Sequence, residues 1–109
     1  MDNINKAINY NYKFDWITEV LKNDIIDLVN KNINGKVNWY LKKILEKKDS
    51  KVHIDMDIKK NKQEKYESSF RFDLDWKIIV YKNSVPFKNI NDLINHAFDH
   101  LKREISDSK

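Results

Sequence analysis

Lysine is the side chain with the most chemistry to offer in this sequence. Lys36, Lys42, Lys43, Lys47 and Lys48 sit in a segment with helical spacing, Lys59, Lys60, Lys62 and Lys65 crowd a short polar stretch, and Lys102 stands beside Arg103. Ammonium groups held at fixed spacing on a helix, with others on an adaptable loop, fit the phosphates of a nucleic-acid backbone. Three tryptophans, Trp16, Trp39 and Trp76, offer rings that could stack on bases. Trp16 and Trp39 lie next to apolar segments, where packing is the commoner use of an indole, whereas Trp76 falls at a chain reversal.

Other chemistries are poorly supplied. His96 and His100 lie four apart and could share a metal, but a site needs a third and fourth ligand from elsewhere, and the helical stripe puts both beside solvent. A phosphate facing His100 fits better. His53, Asp55, Asp57, Arg71 and Asp73 could do acid–base work, yet strand alternation alone places such residues on a solvated sheet face. Glycine and proline occur once each, at Gly35 and Pro86, and cysteine is absent. That excludes a phosphate-cradling glycine loop, a dinucleotide fingerprint, thiolate metal sites and a cysteine nucleophile. The reading is therefore a non-enzymatic protein with no cofactor and no small-molecule substrate.

The chain has 109 residues and a formal charge of +4, the length of a single domain, 1–109. It contains no apolar run near the ~20 residues that span a bilayer, and Met1-Asp2-Asn3-Ile4-Asn5 lacks the start of a secretion signal, so a soluble, cytoplasmic, monomeric protein is expected. Nineteen lysines but two arginines, with 14 Asn and 14 Ile, is also what AT-rich coding produces, so the position of the lysines carries more weight than their number. Residues 36–66 hold ten lysines against five acids, a local excess of +5, while the rest of the chain sums to −1. A solvated lysine-rich helix face would give the same run.

The elements that must position these residues are legible from periodicity. Ile8, Tyr10, Tyr12 and Phe14 alternate with polar residues in a strand from Ala7 to Phe14. Asp15 can then cap a helix carrying Ile17, Leu21, Ile25 and Leu28 at helical spacing, which resumes after Gly35 with Val37, Tyr40, Leu41, Ile44 and Leu45. The two apolar stripes point more than a quarter turn apart, so something changes at Asn34-Gly35; with no polar turn between the halves, one long helix with a weak point at Gly35 is expected. Strands follow at Lys51–Lys59, Tyr66–Leu74 and Ile78–Lys82. A two-residue reversal at Asp75-Trp76 would set Ile79 and Tyr81 on the face of Phe72 and Phe70. Asn89 is a candidate cap for a last helix with the stripe Ile90, Leu93, Ile94, Ala97, Phe98, Leu101 and Ile105. The expected fold is α+β, a two-layer β-α-β-β-β-α arrangement. It has a four-stranded mixed sheet, two helices on one face, and an unusually long first helix.

These residues resemble a known family. The element order, with Ile17-Thr18-Glu19-Val20-Leu21 opening the helix, Lys51-Val52-His53-Ile54-Asp55-Met56-Asp57-Ile58 as second strand and Asp99-His100-Leu101-Lys102-Arg103-Glu104-Ile105 closing the last helix, is similar to that of the ribosome hibernation-promoting factors, also called ribosome-associated translation inhibitors. The resemblance implies a factor that binds the small ribosomal subunit and its rRNA, occupies the path of messenger and transfer RNA, and protects idle ribosomes. It places Arg103 on the arginine of the family's terminal pattern, His100 where that pattern has lysine, and Lys13 near a basic residue preceding the first helix. The segment from Thr18 to Val52 is about three helical turns longer than the family's, so the lysines on it rest on charge alone. The family's basic C-terminal extension is nearly absent, the sequence ending Ser106-Asp107-Ser108-Lys109, and without the domain that dimerises ribosomes in long forms a short form is expected.

The sequence therefore predicts an RNA interface of Lys36, Lys42, Lys43, Lys47, Lys59, Lys60, Lys62, Lys65, His100, Lys102 and Arg103. A generic double-stranded-RNA-binding domain, which shares the order helix, three strands, helix, is the alternative. A protein-interaction domain using the outer sheet face with Ile78 and Val80 is a third reading.

Overall fold

Alternation of apolar and polar residues turns one side of each strand towards a shared core. The computed structural model describes residues 8–46, 51–74 and 77–107. Strands β1 (Ile8–Asp15), β2 (Val52–Lys60), β3 (Tyr66–Leu74) and β4 (Lys77–Lys82) form one mixed sheet in the order β1-β2-β3-β4. β1 runs parallel to β2, and β2–β3 and β3–β4 are antiparallel. Phe72 pairs with Ile79 and Phe70 with Tyr81, the register expected from a two-residue reversal; Asp75 and Trp76 themselves lie outside the described residues.

The inner sheet face, including Val52, Ile54, Met56, Ile58, Phe70, Phe72 and Leu74, is buried under the helices. Phe98 meets Phe70 and Phe72 edge-on, with ring centroids 6.2 and 5.6 Å apart. Full burial of each such side chain is worth about 1.5–3 kcal/mol. On β1, Tyr10 and Tyr12 stack on the half-buried edge of the same face with centroids 6.2 Å apart. Burial pushes the Tyr10 phenol up to about 12, and burial together with the neighbouring Tyr10 raises Tyr12 further.

The first helix is continuous over 27 residues. It consists of α1 (Glu19–Asn32), a π-helical turn (Ile33–Val37) and α2 (Asn38–Leu45). It neither stops nor restarts at Gly35. A π turn accommodates one residue more than an α turn, a phase change of about 100°, which turns the misaligned stripes of the two halves towards one another. Ile25, Val29, Ile33, Val37, Leu41 and Ile44 all reach the core as a result. Val37, at φ −122° and ψ 3°, marks the exit from the π turn, and Asn38 returns to α values. Buried Asn32 enters it, donating from Nδ2 to the Leu28 carbonyl at 2.8 Å. Such side-chain-to-backbone bonds accompany local departures from α geometry.

The cap of α1 is Thr18, not Asp15. Asp15 stays in the parallel ladder opposite Lys59, while Thr18 is extended and its hydroxyl accepts the Leu21 N–H at 3.2 Å. The last helix, α3 (Ile90–Asp107), opens at Asn89, whose side chain accepts the Asn91 N–H at 2.8 Å. Every residue of its expected stripe is buried. No helix among the described residues is long and apolar enough to cross a membrane.

The parallel β1–β2 pair decides which end of the molecule each lysine occupies. α1 leaves from the end of β1, beside the end of β2 and the β2–β3 hairpin, and α2 finishes at the opposite end, where β2 begins. β4 ends on the hairpin side, so α3 starts there and runs alongside the first helix.

Candidate nucleic-acid interface

Polar contacts from α2 and from the π turn join the first helix to α3. The Tyr40 hydroxyl lies 2.8 Å from the Ser106 hydroxyl, and Lys36, in the π turn, lies 2.8 Å from Asp99 Oδ1 and donates to the Asn95 carbonyl at 3.3 Å. Helical spacing then places neighbouring cations. Lys43 is one turn beyond Tyr40 on the flank of α2 that faces α3, and Lys102 is one turn before Ser106 on the facing flank of α3. Arg103 and Lys42 turn outward on either side, and both are exposed. Lys42, Lys43, Lys102 and Arg103 have no ion-pair partner among the described residues. Lys43 and Lys102 thus flank the line where the two helices meet, with Lys42 and Arg103 turned outward from it. Lys36, a sequence candidate on the same flank, differs, because its charge is engaged with Asp99.

The hairpin lysines belong to another surface. Lys59, Lys60, Lys62 and Lys65 lie at the end of the sheet where α1 begins, on a molecule 45 Å in its longest dimension. Lys59 is 3.9 Å from Glu67 and Lys60 is 3.9 Å from Glu64, surface pairs of little energetic consequence. The loop is ordered by Asn61, whose side-chain oxygen accepts the N–H groups of Gln63 and Lys65 at 2.9 and 3.0 Å. The described lysines of the basic segment thus divide between the two helices and the hairpin, at opposite ends of the sheet. Lys47 lies outside the described residues.

His100 points to neither cluster. It packs against Tyr81, ring centroids 5.4 Å apart, and lies 4.0 Å from Glu104, while His96 stacks on Phe87 at 5.2 Å. Among the described residues no three His, Cys, Asp or Glu side chains gather to hold a metal ion. Across the outer sheet face Arg71 sits 3.7 Å from Asp55, a pairing of cross-strand neighbours.

Two tryptophans depart from the packing expected of them. Trp16 is 85% exposed and adopts φ 60°, a left-handed conformation that costs an L-residue about 1–2 kcal/mol. The ladder to Asp15 and the cap at Thr18 leave two residues to turn the chain, and Ile17 takes the inward position. Trp39 is 53% exposed, with the Lys43 ammonium 4.4 Å from its ring centroid. Its spacing held the signal, since two residues from both Val37 and Leu41 is the far side of that stripe. Trp16 gave no such sign, because continued alternation from Phe14 would have turned it inward.

The same arrangement of strands and helices occurs in a solved structure. The fold is similar to that of the Protein Y N-terminal domain from Thermus thermophilus. The match covers 94% of this chain and 100% of that one, with a TM-score of 0.61 and 13% sequence identity. No protein-family model matches the sequence, and no curated protein matches it. The likeness to Protein Y is therefore one of fold.

Proposed function

We propose that this protein is a ribosome-associated, translation-silencing factor that binds small-subunit rRNA and lies in the path of messenger and transfer RNA. The observation that carries the reading is the fold shared with the Protein Y N-terminal domain from Thermus thermophilus, the same order of elements on which the resemblance to the hibernation factors rests. That resemblance, which rests on this order together with short motifs, agrees with it. The cationic surface of α2 and α3 supplies the chemistry, four charged groups at fixed helical spacing suited to a phosphate backbone. The first strand favours this reading over a double-stranded-RNA-binding core, which opens with a helix, since β1 is paired with β2 over its whole length. Ile78 and Val80, exposed on β4, are too small a patch to carry the protein-interaction alternative, given the roughly 800 Å² per partner of a stable interface.

The test is pelleting with purified small subunits of the wild-type protein and of a variant with Lys42→Glu, Lys43→Glu, Lys102→Glu and Arg103→Glu. The variant should lose association at moderate salt while keeping its circular dichroism. Undiminished pelleting of the folded variant would remove this surface from the interface.

A further inference from the structure

The division of cations between two ends has a counterpart in the aromatic residues, because each end also displays a tryptophan. At one end Asp15 pairs with Lys59, so Trp16 follows the last rung of the β1–β2 ladder, at the same end of the sheet as the hairpin that carries Lys62 and Lys65. At the other, Trp39 lies beside Lys43. Folding does not account for Trp16. It holds the largest of side chains in a backbone conformation that glycine or asparagine adopts more cheaply, and at 85% exposure it gains almost no burial in return. A flat indole next to ammonium groups suits an unpaired nucleotide, whose base stacks while its phosphate meets the charge.

We propose that the protein is a bivalent RNA binder, in which the Trp16 end and the Trp39 end each hold a separate unpaired RNA segment, so that one molecule bridges two segments. The 22 residues of mostly α-helical chain between these tryptophans put the two sites roughly 30 Å apart. The inference rests on the RNA-binding reading above and adds stoichiometry and base stacking to it. Tryptophan with lysine also suits an anionic lipid surface, and the vesicle arm of the experiment separates that ligand from RNA.

The experiment uses two short single-stranded RNA oligonucleotides, one carrying a donor fluorophore and one an acceptor, titrated with the full-length protein. Energy transfer should rise to a maximum near one protein per two RNAs and fall when protein is in excess. Trp16→Gly and Trp39→Ala should each abolish transfer and weaken one site by roughly 5- to 150-fold, the range for loss of a stacked base, while leaving binding of a single RNA. Trp16→Gly also relieves the left-handed residue, so it should fold at least as well as the parent, and a thermal melt checks this. Saturation at one RNA per protein without transfer would overturn bivalence and leave the RNA-binding reading standing. Absence of any RNA binding would overturn both. Binding to phosphatidylserine vesicles that the same substitutions abolish, without RNA transfer, would replace the RNA by a membrane.

Discussion

The Lys36 ammonium lies 2.8 Å from the Asp99 carboxylate, joining the π turn of the first helix to the middle of α3. This ion pair is partly screened, with the two side chains 28% and 55% exposed, and a worth of about 0.2–1 kcal/mol is expected. Lys36→Ala should lower stability by that amount and change RNA affinity by less than about threefold, whereas Lys43→Glu should lower affinity with little loss of stability. Denaturant melts and RNA titrations of both variants separate the two roles. A large affinity loss in Lys36→Ala would show that Lys36 leaves Asp99 to meet phosphate.

Gly35 lies in the π turn without a positive φ, and a Cβ added there would meet nothing within 4 Å. Gly35→Ala should therefore stabilise the protein by about 0.5–1 kcal/mol, through lower entropy of the unfolded chain. A loss of stability on chemical denaturation would mean that the turn needs glycine after all.

The expected weak point at Gly35 illustrates where sequence reading stops. The stripes of Ile17–Leu28 and Val37–Leu45 disagree in phase, so a change in winding was legible, but a kink, a break and a π turn satisfy that phase equally. Where one periodicity runs through a whole element the reading was complete, as in the α3 stripe and the pairing of Phe70 with Tyr81. The division of the lysines was harder, because neighbours in sequence need not share an end of the fold. It follows from the parallel pairing of β1 and β2, a topological fact that charge counting along the chain ignores.

Asn83 fastens the connection from β4 to α3. Its oxygen accepts the backbone N–H of Ser68 at 2.7 Å and the Ser68 hydroxyl at 3.1 Å, and its nitrogen donates to the carbonyls of Tyr66 at 3.3 Å and Val85 at 2.9 Å. Asn83→Ala strands the partly buried Ser68 donors and should cost about 1–3 kcal/mol. Hydrogen exchange at the Ser68 amide should accelerate in the variant; unchanged protection would contradict this account of the connection.

Tyr10 and Tyr12 set an alkaline limit. Their phenols are raised in the folded state, Tyr10 to about 12, against about 10 when unfolded. The unfolded chain therefore loses these protons first, so their contribution is full below about pH 10 and declines as pH rises through about 12. Lysines titrate in the same window, so the comparison is with the Tyr10→Phe, Tyr12→Phe variant. Its alkaline loss of stability should be shallower, and its late-titrating tyrosinate absorbance should shrink to that of Tyr81, which burial also raises. Identical curves would contradict the burial of these phenols.

The most direct test of ribosome association is co-sedimentation with small subunits across a salt series, with naked duplex RNA as competitor. Four phosphate contacts predict saturable binding that weakens by roughly 50-fold between about 50 and 200 mM salt. That binding should resist duplex competition and accompany inhibition of cell-free translation. Binding that follows duplex RNA equally well, or no association at the lowest salt, would contradict the assignment to the ribosome.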